Sequence, residues 1–338
     1  MNLTYPVDAL VSFHYYRKDE VMAPVAGPGH LRLIADSGAF SAYTQGTVIT
    51  VGEYVTWCQR WRKHLAWIAA LDVIGDPAAT MTNWRAMLSH GLPTVPTLHA
   101  GGDVKWLDAY AAEGVDFLGL GGLVGVAPRA FAWLVHVFRY ARDHHPGMRF
   151  HLWGVTNRKL LAALPAYSAD SSGIMGQSYR YGTLRLFNPR TAGEVAMKLD
   201  GRTPLRHRDL LAGVYGVEPK EILTSRPANR VTLIRLAAAS VQQYAGWLQR
   251  RHHVTPPTWG LTTPGGTGPR VHLVDAAGGN KSNRMETALL PGTGPHIHVI
   301  GNHSSSPSVG GDDLTALGPH VHVVDAMPAH LAALNPQE

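Results

Sequence analysis

Over the first 170 residues, short apolar runs alternate with stretches of helical periodicity. The runs fall at "ALVSFH" (9–14), "LRLIAD" (31–36), "AWIAALD" (66–72), "PTVPTLH" (93–99), "VDFLGLGG" (115–122), "RFHLWG" (149–154) and, more weakly, "AYSAD" (166–170). Their length and β-branched content predict buried strands. Between them, Tyr54, Trp57, Cys58, Trp61 and Leu65 recur on one helical face, which predicts a helix over 53–66 and places Cys58 in the core. A helix over 103–113 starts at Asp103 as N-cap and stops before Gly114. Another, over 128–144, turns Phe131, Leu134, Val135 and Phe138 inward and ends before Pro146, and Thr156 heads a short helix that Pro165 terminates.

Regular strand–helix alternation predicts an α/β chain with a parallel sheet. Units of roughly 25–35 residues suit a (β/α)8 TIM-like barrel, with a doubly wound sheet as the alternative. No G-x-G-x-x-G follows the first strand, and "GLGGLVG" (119–125) lacks the dinucleotide spacing. The barrel is the preferred reading.

The pattern changes after residue 182. A long helix is predicted over about 228–250, with Ile234, Ala238, Val241, Ala245 and Leu248 on one face, and it closes a barrel domain spanning 1–254. The segment 255–338 opens with the linker "TPPTWGLTTPGGTG" and continues into a threefold echo, "GPRVHLVDA", "GPHIHVIGN" and "GPHVHVVDA". Each copy reads as a short strand that either completes the barrel domain or extends it. His296, His298, His320 and His322 alternate along these strands, as metal ligands or as solvent-facing polar positions.

Composition narrows the class. With 45% hydrophobic and 16% charged residues in 338, the chain can build a full core and is not a disordered polyelectrolyte. Lys plus Arg exceed Asp plus Glu by 30 to 24, an excess compatible with a polyanionic partner. Cys58 is the single cysteine, which rules out an internal disulfide or a multi-cysteine zinc site. The start "MNLTYPVDALVSF" carries no export-signal pattern, and "LAWIAALDVI" (65–74) is too short to span a bilayer. A cytoplasmic protein with no membrane partner is the expectation.

The strand ends carry the chemistry. Asp36, Asp72, His99, the Gly121–Gly122 pair and Asp170 all close predicted strands, where a barrel gathers its reactive groups. Singly, each has an ordinary explanation: Asp72 as cap of the turn before Pro77, His99 as a core histidine, Asp170 as cap of "SSG". Jointly they point to an active site. Two carboxylates can divide nucleophile and proton-transfer roles at a glycosidic carbon, and a third can accept the N–H donors of a guanine-like edge.

The ordered set "DSGAFSAY", "ALDVIGDP", "GLGGLVG", "HLWGVT" and "YSADSS" resembles the guanine transglycosylase superfamily over about residues 9–182. Its closest likeness is to the phage and bacterial DNA-modifying branch, the DpdA family of DNA 7-deazaguanine transglycosylases. The resemblance implies Asp170 as nucleophile and Asp36 as general acid/base. It implies a base pocket of Ser37, Asp72, His99, Gly121, Gly122 and Leu123. His99 stands where tRNA enzymes tend to carry glutamine. The zinc site of three cysteines and a histidine found in those tRNA enzymes has no counterpart here. Of the P-T-R-x-x-x-G run, "SYRYG" (178–182) keeps an Arg and a Gly.

The implied reaction exchanges guanine in DNA for a 7-deazaguanine base such as 7-cyano-7-deazaguanine, without a cofactor. Its partners are DNA and the free base, and a homodimer stays open. Tyr179, Arg180 and Tyr181, with "RWRK" (60–63), "RHR" (206–208) and "QRRHH" (249–253), are candidate phosphate and base contacts, or else ordinary solvated charge. Rival readings are a zinc-free tRNA guanine transglycosylase, a glycosidase or nucleosidase, and a non-catalytic nucleic-acid-binding barrel.

Overall fold

The computed structural model describes residues 7–26, 31–123, 130–155, 157–171, 182–224, 229–253 and 270–275. In chain order these form β1 (Val7–Ser12), α1 (Phe13–Tyr16), α2 (Asp19–Met22), β2 (Leu31–Asp36), α3 (Ala39–Thr44) and α4 (Val51–Trp61). Then come β3 (Leu65–Ile68), α5 (Pro77–Ser89), β4 (Thr97–His99), α6 (Lys105–Ala112), β5 (Phe117–Gly121) and α7 (Phe131–His144). Next follow β6 (Arg149–Leu152), α8 (Arg158–Ala163), β7 (Ser168–Ser171), β8 (Thr183–Asn188) and β9 (Gly193–Lys198). The last are α9 (Thr203–Arg206), α10 (Arg208–Tyr215), α11 (Arg230–His252) and β10 (Arg270–Asp275).

Local signals set several boundaries. Thr50 and Glu53 form a reciprocal capping box on α4. The Asp76 carboxylate accepts the Ala79 amide at 2.9 Å with Pro77 in the first turn of α5, so Asp76, and not Asp72, caps this helix. Asn157 caps α8 through the Leu160 amide at 3.1 Å, while Thr156 lies outside the described residues. Leu65 is the first residue of β3 rather than the last turn of α4. In α7 the buried residues are Leu134, Val137 and Ala141; Val135 and Phe138 are half-buried, and Phe131 is exposed at the helix start.

The architecture is α/β with a parallel sheet. Eight strands run in the order β3-β2-β1-β10-β7-β6-β5-β4, every pair parallel. Just past β3 and just before β4, Ala69 and Val95 form an isolated parallel bridge, with Val95 N donating to Ile68 O and Ala70 N to Val95 O, both at 2.8 Å. From the threefold echo, the first copy supplies β10, which lies between β1 and β7 with His272 in register with Asp170. The other two copies, with His296, His298, His320 and His322, lie outside the described residues.

Strand alternation separates two apolar layers. Val11, Leu33, Ala35, Ile68, Leu98, Leu118, Leu120, Phe150, Leu152 and Ala169 pack against the helices in the main core. Leu10, Ile34, Trp67, Phe117, Val95 and Tyr167 form a separate cluster on the other face. Two residues before Leu10 and Ile34 on this face, Asp8 and Arg32 make a mostly buried ion pair. Two residues after Ile34 comes Asp36. The same face therefore carries ionisable groups at both ends and apolar ones between them.

Residues 182–224 add an antiparallel β8–β9 hairpin and helices around Leu184, Leu186, Met197, Leu211, Tyr215 and Ile222. The 23-residue helix α11 joins this second core through Leu233, Leu236 and Ala239, then the main core through Val241, Tyr244 and Leu248. The single-face expectation fails for that reason: Ala238, Val241 and Leu248 are buried, but Ile234 and Ala245 are only half-buried. Among the described residues no helix is long and apolar enough to cross a membrane.

Candidate active site

All strands of a parallel sheet end at one edge, so residues distant in sequence meet there. At this edge, Asp36 closes β2, Asp72 follows β3, His99 closes β4, Gly121 closes β5 and Asp170 lies near the end of β7. Beyond Asp36 the backbone turns at Gly38, whose φ of 75° is left-handed, and α3 begins. A Cβ on Gly38 would lie 2.5 Å from the His14 Cβ, so only glycine fits this approach. The turn points the Gly38 amide back at Asp36 Oδ2, 3.1 Å away.

Asp36 is a strongly perturbed acid. Burial is the main cause, followed by the charges of Asp72 and Asp170, and together they raise its carboxyl to about 7. The Ser12 hydroxyl and the Gly38 amide act in the opposite direction. Three carboxyl groups in one site thus make protonation of one of them favourable.

Asp72 is held on both oxygens. Oδ1 accepts the hydroxyl of fully buried Ser37 at 3.3 Å, and Oδ2 lies 2.8 Å from His99 Nε2. Gly121 makes room for that histidine, because a Cβ there would stand 3.0 Å from His99 Cδ2 and 2.9 Å from Thr97 Cγ2. Gly122 adopts φ 69° and the Gly121 carbonyl accepts the Ala100 amide at 2.9 Å. Leu123 is buried in the main core.

Asp170 is buried, and its Oδ1 accepts the Gly154 amide and lies against His151 Nε2, both at 3.0 Å. His151 is fully buried, with Nδ1 2.7 Å from the Ser168 hydroxyl. The rings of Trp67 and Trp153 meet it edge-on, with centroids at 5.2 Å and 4.1 Å. Trp153 is seated by Gly119, where a Cβ would come within 2.2 Å of the indole nitrogen, and by a 3.1 Å hydrogen bond to Thr97 Oγ1. His151, Ser168 and Gly154 were not among the residues expected from sequence. Strand alternation was the available signal, since Ser168 sits two residues before Asp170 and therefore on its face.

The structure thus brings Asp36, Ser37, Asp72, His99, Gly121 and Asp170 to one edge. Tyr179, Arg180 and Tyr181 lie outside the described residues. Some members of the basic segments also contact the protein itself. Arg251 Nε donates to Ala162 O at 2.7 Å and His252 Nε2 lies 2.8 Å from Leu161 O, so both satisfy carbonyls at the end of α8. Arg60 pairs with Asp19, and Arg208 lies 3.8 Å from Glu218. Cys58 is fully buried, and burial pushes its thiol up to about 12, which leaves it a packing residue. Comparison with protein-family models finds no matching family, and comparison with curated proteins finds no match.

Proposed function

We propose that the chain is a DNA guanine transglycosylase that exchanges guanine for a 7-deazaguanine base through an Asp170 glycosyl-enzyme. The supporting observation is the contrast between two carboxyl groups of one site. Asp36 is raised to about 7 by burial and by its acidic neighbours, which suits proton transfer at neutral pH. Asp170 has one oxygen held by the Gly154 amide and His151, which suits a nucleophile kept in one orientation. Asp72, with His99 beside it, offers acceptors for the N–H edge of guanine.

In the first displacement Asp170 attacks C1′, the C1′–N9 bond breaks, and guanine leaves with the proton of Asp36. In the second, Asp36 takes the N9 proton of the incoming base and N9 displaces Asp170. A target base in duplex DNA is flipped out first, at a cost of roughly a few kcal/mol. The scaffold of this reading is a (β/α)8 barrel, which the Ala69–Val95 bridge between β3 and β4 favours over an open sheet. β10 is its eighth strand, and the remainder of 255–338 is a C-terminal extension.

DNA is preferred to tRNA because Cys58 is the chain's single cysteine and no three-cysteine zinc site can form. The test offers DNA and tRNA in parallel with labelled guanine or 7-cyano-7-deazaguanine, and identifies nucleosides by mass spectrometry. Label is expected in DNA only, with binding that weakens steeply as salt rises. Label in tRNA alone overturns the substrate, and label in neither overturns the enzyme.

A further inference from the structure

The fully buried His151 lies behind Asp170 and takes no part in the two displacements as written. Its two ring nitrogens are both committed. Nε2 faces the carboxylate oxygen Asp170 Oδ1 at 3.0 Å, and Nδ1 faces the Ser168 hydroxyl at 2.7 Å. Facing a carboxylate oxygen, Nε2 is the nitrogen that carries the hydrogen, and the Ser168 hydroxyl donates to Nδ1. Backbone register supports the arrangement, because His151 and Ser168 are direct partners in the β6–β7 pairing. Trp67 and Trp153 wall the ring and fix its plane. Among the described residues, the donors to Asp170 all go to Oδ1 and none to Oδ2.

We propose that Ser168 and His151 form a positioning relay that holds Asp170 Oδ1 and leaves Oδ2 as the oxygen that bonds to C1′. This inference rests on the transglycosylase reading for its chemistry. In the covalent intermediate Oδ1 is the ester carbonyl oxygen, still facing His151 Nε2–H and the Gly154 amide. When N9 of the incoming base attacks C1′, the C1′–Oδ2 bond breaks and its electron pair returns to the carboxylate. The two donors stabilise the negative charge that reappears across both oxygens. No proton crosses to His151 at any stage. The relay therefore favours the free carboxylate over the ester, and assists departure of Asp170 in the second displacement.

Three variants test this: His151→Leu, which removes the donor; His151→Gln, whose amide can still donate to Oδ1; and Ser168→Ala. Exchange into guanine-containing DNA and the fraction of denaturation-stable protein–DNA adduct are measured together. His151→Leu is expected to slow exchange about 10- to 100-fold while raising the adduct fraction. His151→Gln should recover part of both, and Ser168→Ala should move both in the same direction by less. A purely structural role predicts that exchange and adduct fall together, and that outcome, or an unchanged adduct fraction, overturns the relay.

If His151→Leu fails to fold, the glutamine and alanine variants carry the same comparison. A substrate-independent arm uses the ring 15N signals of wild-type His151, assigned by their loss in His151→Gln. Hydrogen on Nε2 is expected, and an Nδ1–H tautomer overturns the relay. Absence of both exchange and adduct in the wild type would instead sink the transglycosylase reading, with the tautomer still deciding the relay.

Discussion

Asp72 Oδ2 and His99 Nε2 lie 2.8 Å apart at the edge where β3 and β4 end, although 27 residues separate them in sequence. The pair fixes the acceptor geometry of Asp72, whose other oxygen is held by Ser37. His99→Ala removes one hydrogen bond to a charged group and should raise the KM for the incoming base roughly 10- to 100-fold, with a smaller effect on kcat. Steady-state kinetics over base concentration check it, and an effect confined to kcat would remove His99 from the base pocket.

Asp36 should make stability depend on pH in a defined direction. Its carboxyl is raised from 3.8 to about 7, so between those values the folded chain holds a proton that the unfolded chain releases. This contribution to stability is fully present below about pH 4, is lost as pH rises toward 7, and levels off above that. Asp36→Asn removes the dependence. Thermal melts from pH 4 to 8 should show the asparagine variant gaining on the wild type as pH rises, and a constant difference would contradict the raised carboxyl.

The two carboxylates should fail differently when neutralised. Asp170→Asn is expected to abolish both exchange and adduct, because an amide is no nucleophile. Asp36→Asn should slow exchange by about 10²–10⁴-fold, the usual loss for a missing general acid/base. Near-normal exchange in Asp170→Asn would show that the nucleophile lies elsewhere.

Ser240 ties α11 to the β8–β9 hairpin, its hydroxyl oxygen accepting the Phe187 amide at 2.7 Å in a fully buried position. Tyr215 donates its hydroxyl to the Phe187 carbonyl on the same strand. Ser240→Ala leaves the amide without that acceptor and should cost about 1–3 kcal/mol. Denaturant titration gives the loss, and faster hydrogen exchange at the Phe187 amide should localise it to the hairpin.

The sequence by itself determined the alternation of strands and helices, because period-2 and period-3.6 burial are local properties of the chain. It also marked Asp36, Asp72, His99 and Asp170, since a polar residue ending an apolar run stands out without any partner being known. What needed the tertiary structure was every relationship between elements. Leu65 reads as helical by spacing, yet the sheet claims it through its pairing with Leu33. α11 was expected to bury one face, but it passes between two cores that contact different sides of it. Arg251 and His252 read from sequence only as basic residues, and the packing of α11 is what brings the end carbonyls of α8 to them. His151 escaped notice because a buried histidine in an apolar strand has no sequence signature of its partners. Only the register of β6 with β7 places it between Ser168 and Asp170, since pairing is a long-range choice made by packing.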